Sequence, residues 1–146
     1  MAHVSLITLG VDDLADATRF YEALGWRRSS ASVEGTVAFL RGGTVALGLY
    51  GREDLAADAG VPAASGGGPA VALAMNVATE DAVDATLAAA AARAGGRITR
   101  QAQRTDWGGS SGYFDDLDGH LWEVAYDPGF ELLTDGRIRL PDDRDV

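Results

Sequence analysis

The chain has 146 residues, 47% of them hydrophobic, with 22 acidic against 12 basic side chains and a formal net charge of −10. This is one domain's worth of chain with enough apolar residues to bury a core, which sets aside disorder. An acidic surface repels phosphate backbones, so nucleic acid is not an expected partner.

Cysteine is absent and all twelve basic residues are arginine. Disulfides, thiolate metal sites, cysteine nucleophiles and Schiff-base lysines are therefore removed together. No window reaches the roughly 18 unbroken apolar residues of a membrane span, so no membrane partner is expected. The opening "MAHVSLITLG" carries no basic n-region and no small-residue cleavage site, and a cytoplasmic location follows by default.

"VSLITLGV", residues 4–11, reads as a buried strand, being short, apolar and β-branched. "DDLADATRFYEALG" reads as a helix capped by Asp12 or Asp13 and stopped by Gly25, with Leu14, Ala17, Tyr21 and Leu24 on one apolar stripe. "WRRSSASVE", "GTVAFLRGG" and "TVALGLYG" read as three strands with "EG" and "GG" as turns. The start of "REDLAADAGVPAASGGGP" suits one helical turn, and the rest reads as a linker.

The pattern then recurs. "PAVALAMNV" is a strand, and Thr79 caps a helix over "EDAVDATLAAAAARAGG" with Val83, Leu87, Ala90 or Ala91, and Ala94 on its buried stripe. "RITRQAQ", "SGYFDDL" and "HLWEVAYD" follow as strands. Both halves are thus βαβββ, a repeat visible in the order of elements. The fold class is α+β, with one domain over residues 1–128. Its modules lie at about 1–58 and 69–128, joined by a linker at about 59–68. Residues 129–146 form a C-terminal hairpin around Asp135-Gly136 and a frayed tail, "DDRDV".

Two βαβββ copies, with "VDDLADATRFYEALGW" early and "GYFDDLDGHLWEV" late, resemble the vicinal oxygen chelate superfamily, the glyoxalase, bleomycin-resistance and extradiol dioxygenase group. The resemblance runs from residue 4 to about 128. It implies two small sheets forming a U-shaped trough, in which enzymes of the group hold a divalent metal. Glu123 matches the group's final ligand, but Leu6, Leu47 and Ala72 fall at or beside the other ligand positions. None of these three can donate an electron pair from its side chain.

Strand alternation adds a second argument against a metal. His120 and Glu123 are three apart, and side chains at i and i+3 of a strand point opposite ways. His3 stands three before Leu6 and also faces away. No metal and no cofactor is expected.

The same alternation puts Ser111 and Tyr113 on the trough face with Glu123, leaving Trp122, Val124 and Phe114 for the core. The fosfomycin-resistance branch implies ligand contact by a Tyr and a Ser at these two positions. Leu6, Thr8, Val45, Leu47, Leu49, Ala70, Ala72 and Ala74 are expected to line the other walls. Trp107, in the loop "DWGGSS", is expected as a lid or an interface contact. Trp26 and Trp122 read as core, His120 as a decoration of the turn or a partner for backbone groups, and Asp116, Asp118 and Gly119 as the turn itself.

Three functional readings stay open, and whether the protein is an enzyme is not decided. The preferred one is a metal-free protein that binds an apolar or cationic organic ligand, as in antibiotic or natural-product resistance. The resemblance implies a homodimer with ligand grooves shared between chains. The alternatives are a metal-dependent lyase, isomerase or dioxygenase, and a metal-free enzyme with Glu123 as general base and Tyr113 polarising a substrate oxygen.

Overall fold

A computed structural model of the chain describes residues 4–59, 61–63 and 71–139. The expectations for His3, Ala70, most of the linker and the tail at 142–146 lie outside these residues. The first module runs β1 (Leu6–Val11), α1 (Leu14–Ala23), β2 (Arg27–Arg28), β3 (Val37–Arg41) and β4 (Ala46–Gly51), followed by α2 (Arg52–Ala59). The second runs β5 (Ala72–Asn76), α3 (Glu80–Ala92), β6 (Arg97–Arg104), β7 (Ser110–Asp115) and β8 (Leu121–Tyr126). A hairpin of β9 (Glu131–Leu132) and β10 (Ile138–Arg139) follows.

The fold is α+β, with strand orders β1-β4-β3-β2 and β5-β8-β7-β6. In each sheet the first and last strands of the module pair in parallel, β1 with β4 and β5 with β8. This leaves β1 and β5 as outer strands. Among the described residues, no helix is long and apolar enough to cross a membrane.

Local chemistry sets the helix limits. The Asp13 carboxylate accepts from the Asp16 N–H at 2.8 Å, and Thr79 Oγ1 accepts from the Ala82 N–H at 3.1 Å. Each satisfies a donor that the helix itself cannot pair. Gly25 and Gly95 end the two helices at φ +99° and +83°, a region costly for a residue with a Cβ. α2 extends the single expected turn to eight residues. "WRRSSASVE" contributes only Arg27 and Arg28 to a strand. There the Ser32 N–H bonds the Ser29 carbonyl and Ser32 Oγ accepts from the Phe39 N–H at 2.9 Å, closing the chain into a turn.

One core serves both modules. Phe20 and Tyr21 of α1 pack with Phe114 and Trp122 of the second sheet, the latter two rings stacked at 6.2 Å with 2° between their planes. Burying such side chains stabilises by roughly 1.5–3 kcal/mol each. On α3, Val83, Leu87 and Ala90 are buried. Leu87 sits against the backbone of Gly112, where an added Cβ would collide with its Cδ1 and stand 3.0 Å from the Ala102 nitrogen.

The modules are also joined by polar contacts around the turn before β8. Tyr21 Oη donates to Asp116 Oδ2 at 2.6 Å and accepts from Trp122 Nε1 at 3.1 Å. Asp116 Oδ1 accepts from the N–H groups of Asp118 and His120. Asp118 Oδ1 accepts from the Asp12 N–H at 2.7 Å, and Arg52 pairs with Asp12 at 3.0 Å. "DDLDGH" therefore binds the end of β1 and the start of α1, and Gly119, at φ +84°, lets it turn tightly enough to do so.

Candidate functional site

Each sheet has a face turned to the core and an open face. In the second sheet Phe114, Trp122 and Val124 are buried in the core. The opposite parity carries Ala74, Tyr113 and Glu123, which stand side by side in register on β5, β7 and β8. Tyr113 Oη donates to Glu123 Oε2 at 3.0 Å. Burial, that hydrogen bond and the charge of Glu123 raise the phenol pKa above its usual value, and Arg100 opposes them.

Ser111, two residues before Tyr113, is buried, and its Oγ accepts from Arg100 Nη2 at 2.7 Å. The Arg100 guanidinium carbon lies 5.0 Å from the centre of the Tyr113 ring, within cation–π range. Arg100, Ser111, Tyr113 and Glu123 thus form one polar cluster on the open face.

Arg100 was not expected there. Simple alternation groups it with Ile98 and Ala102, both of which pack against the core. The β6–β7 register shifts on either side of Arg100, and such irregularities re-aim side chains. The only signal in the sequence is negative: alternation would bury an arginine beside apolar neighbours, which is unfavourable without a partner.

The first sheet corrects the expected walls. Leu47 and Leu49 are 1% and 0% exposed and face the core, and Leu47 also borders a cavity at the outer edge of β5. The open face of β4 carries Ala46 and Gly48 instead, paired with Leu6 and Thr8 of β1. The expected parity was one residue off because α1 covers the leucine face of this strand. Gly48 fits beside Thr8, whose Oγ1 would stand 3.2 Å from an added Cβ. Val45 precedes the strand and lines the same cavity as Leu47. Leu6 and Thr8 are exposed, and no strand pairing or hydrogen bond among the described residues joins them to Glu123.

Trp107 stands in the loop between β6 and β7. It sits at the tip of a tight hairpin closed by the Thr105 N–H bonding the Gly109 carbonyl at 3.1 Å. Its ring lies over Gly109, and it is 47% exposed. Ser110, expected in that loop, already belongs to β7 beside Ser111. His120 satisfies a backbone group, its Nε2 bonding the Gly10 carbonyl.

A cavity of about 350 Å³ lies between β5, β8 and the C-terminal hairpin, lined by Asn76, Tyr126, Phe130 and Ile138 among others. A larger one of about 540 Å³ opens at the outer edge of β5. Its wall includes Ala72 to Asn76, Ile7, Leu47, Trp26 and Trp122. Ala74 lines this cavity and is also the strand neighbour of Glu123. The cavity's other walls include the core-face side chains Ile7, Leu47, Leu73, Met75 and Trp122, so it lies on the core side of β5, and neither Glu123 nor Tyr113 lines it.

The sequence matches the model of the Glyoxalase/Bleomycin resistance protein/Dioxygenase superfamily over residues 1–124. The chain belongs to this superfamily. A glyoxalase-related enzyme from Fulvimarina pelagi is 34% identical, with 96% of this chain and 99% of that chain covered at a TM-score of 0.86. A glyoxalase/bleomycin resistance protein/dioxygenase from Nocardioides is 24% identical, covering 88% and 89% of the two chains at 0.73. Lactoylglutathione lyase from Agrobacterium tumefaciens is 20% identical, covering 86% and 94% at 0.64. The last two likenesses speak to the fold alone. No curated protein matches the chain.

Within the superfamily frame, the donor set does not fit a divalent metal. Around Glu123 stand Ala74, Tyr113 and Arg100. The corresponding strands of the first sheet offer Leu6, Thr8, Ala46 and Gly48. Among the described residues no three His, Asp or Glu side chains converge, whereas such a metal takes several convergent donors.

Proposed function

We propose that the protein binds a small organic molecule at the outer edge of β5, without a metal. The ligand's apolar body occupies the cavity of about 540 Å³, and its polar end passes round the free edge of β5 at Ala74 to reach Glu123 and Tyr113 on the other face. The observation that carries this reading is the position of Ala74, shared by the cavity wall and the carboxylate's strand pair. The volume and the mix of apolar walls with few polar groups suit a small-molecule pocket. Antibiotic or natural-product sequestration is the role in keeping with the bleomycin-resistance side of the superfamily.

A second copy of the chain completes the groove in this reading. β1 and β5 are both outer strands, and Val4, Leu6 and Val71 beside them are 69%, 43% and 70% exposed. Apolar side chains on an unpaired edge favour association. Sedimentation at micromolar concentration should show a dimer; a monomer would remove the shared groove.

The test of binding is a thermal-shift screen with bleomycin, other natural-product antibiotics and small carbonyl compounds, run beside a metal analysis. A ligand at 100 times its Kd adds about 2.7 kcal/mol of apparent stability. Stabilisation of metal-free protein is expected. Stoichiometric metal that is required for turnover of a carbonyl compound would overturn the reading. Turnover without metal that is lost in Glu123→Gln, with binding retained, would make Glu123 a general base instead.

A further inference from the structure

We propose that Arg100 is an anion-binding residue and that the ligand of the cluster is an organic carboxylate. This rests on the small-molecule reading above and names the class of molecule.

Three arginines stand on β6. Arg97 pairs with Asp115 at 2.8 Å and Arg104 with Glu80 at 3.7 Å. Arg100 has no carboxylate within ion-pair distance among the described residues; its polar partner is the neutral Ser111 hydroxyl. In a chain with 22 acidic residues against 12 arginines, carboxylate partners are plentiful. A half-buried guanidinium left with a hydroxyl and an aromatic ring therefore keeps donors and charge in reserve.

The backbone is arranged to put it there. Register shifts on both sides of Arg100 take it out of the Ile98–Ala102 parity and onto the open face. Irregularities of this kind recur beside ligand sites. Its bond to Ser111 and its stacking on Tyr113 then fix the guanidinium in place. A fixed guanidinium loses little entropy on binding, and its planar fork matches a carboxylate.

Tyr113 lies between the two charges, with Arg100 against its ring and Glu123 at its hydroxyl. The site therefore offers a cation at one end and an acceptor at the other. An organic acid that also carries a hydroxyl or amino group satisfies both. The net charge of −10 favours cations at long range, but Arg100 sets the sign at contact.

The test compares naphthoate, naphthamide and naphthylmethylamine, which share one apolar body and differ in charge. Binding is followed by titration calorimetry and by the arginine side-chain NMR signals, with that of Arg100 assigned by its loss in Arg100→Gln. Naphthoate is expected to bind at least about tenfold tighter than the other two and to shift the Arg100 signal. Arg100→Gln, with unchanged circular dichroism, should erase that preference. Equal or tighter binding of the amide or amine, or a naphthoate preference that survives Arg100→Gln, would overturn the carboxylate assignment and leave the small-molecule reading standing. Failure of all three to bind would count against both.

Discussion

His120 Nε2 lies 2.7 Å from the carbonyl oxygen of Gly10, 110 residues earlier in the chain. A carbonyl only accepts, so Nε2 carries the proton and the ring is held in one orientation. The nitrogen of the superfamily-like "DGH" segment is thus committed to holding the end of β1. His120→Ala should lower unfolding free energy by about 0.5–1.5 kcal/mol, the range for one partly buried hydrogen bond. His120→Gln, which keeps a donor, should lose less. Urea denaturation of the three proteins measures both, and an equal loss would mean that the bond itself contributes nothing.

Tyr21 is the deeper half of the same joint. Tyr21→Phe keeps the ring and removes the oxygen that bonds both Asp116 and Trp122 Nε1. A buried carboxylate oxygen and an indole N–H then lose a partner, at a cost of about 2–3 kcal/mol. A loss under about 0.5 kcal/mol in denaturant melts would show that water replaces the hydroxyl.

Tyr21 also sets a pH dependence. Burial and the negative charge of Asp116 push its pKa far above the ordinary value near 10. The folded state therefore holds the phenol proton more tightly than the unfolded chain. This contribution is complete below about pH 10 and declines as pH rises above it. The wild type should lose more stability than Tyr21→Phe between pH 9 and 11, roughly the window around a free phenol. Parallel slopes in that range would contradict the assignment.

Glu123 has a spectroscopic handle. Its hydrogen bond and charge help keep the Tyr113 phenol protonated. In Glu123→Gln the charge is gone, so Tyr113 should ionise at lower pH than in the wild type. Ultraviolet difference titration, with Tyr113→Phe identifying the transition, reads this directly. An unmoved titration would mean that the pair seen at 3.0 Å is not formed in solution.

Gly112 tests the packing of α3. In Gly112→Ala the new methyl meets Leu87 and the backbone nitrogen of Ala102. Overpacking of this kind costs about 1–3 kcal/mol. Leu87→Ala alone opens a cavity at about 2–5 kcal/mol. The double variant should lose less than the sum, because the methyl enters space the leucine has left. Strict additivity in melts would place the strain elsewhere.

The local half of this architecture was readable because its causes are local. Asp13, Thr79, Gly25 and Gly95 act within a turn of where they sit, and both helices start and stop as expected. The parity of β8 was also legible, since Trp122 and Val124 leave only one face for Glu123. What alternation could not reveal were the places where it breaks or starts from another origin. β4 is shifted by one residue against the expected walls, and β6 carries irregularities around Arg100. The joint between Tyr21 and Asp116 spans 95 residues, beyond the reach of any periodicity.

That joint also orders events in time. Tyr21, Gly10 and Asp12 find their partners at Asp116, His120 and Asp118, across separations of 95, 110 and 106 residues. Closing loops of that length is entropically costly and slows folding. During synthesis, α1 must wait with Tyr21 unpartnered until the last quarter of the chain emerges. The first module is completed by the second, so the duplicated halves are poor candidates for independent life.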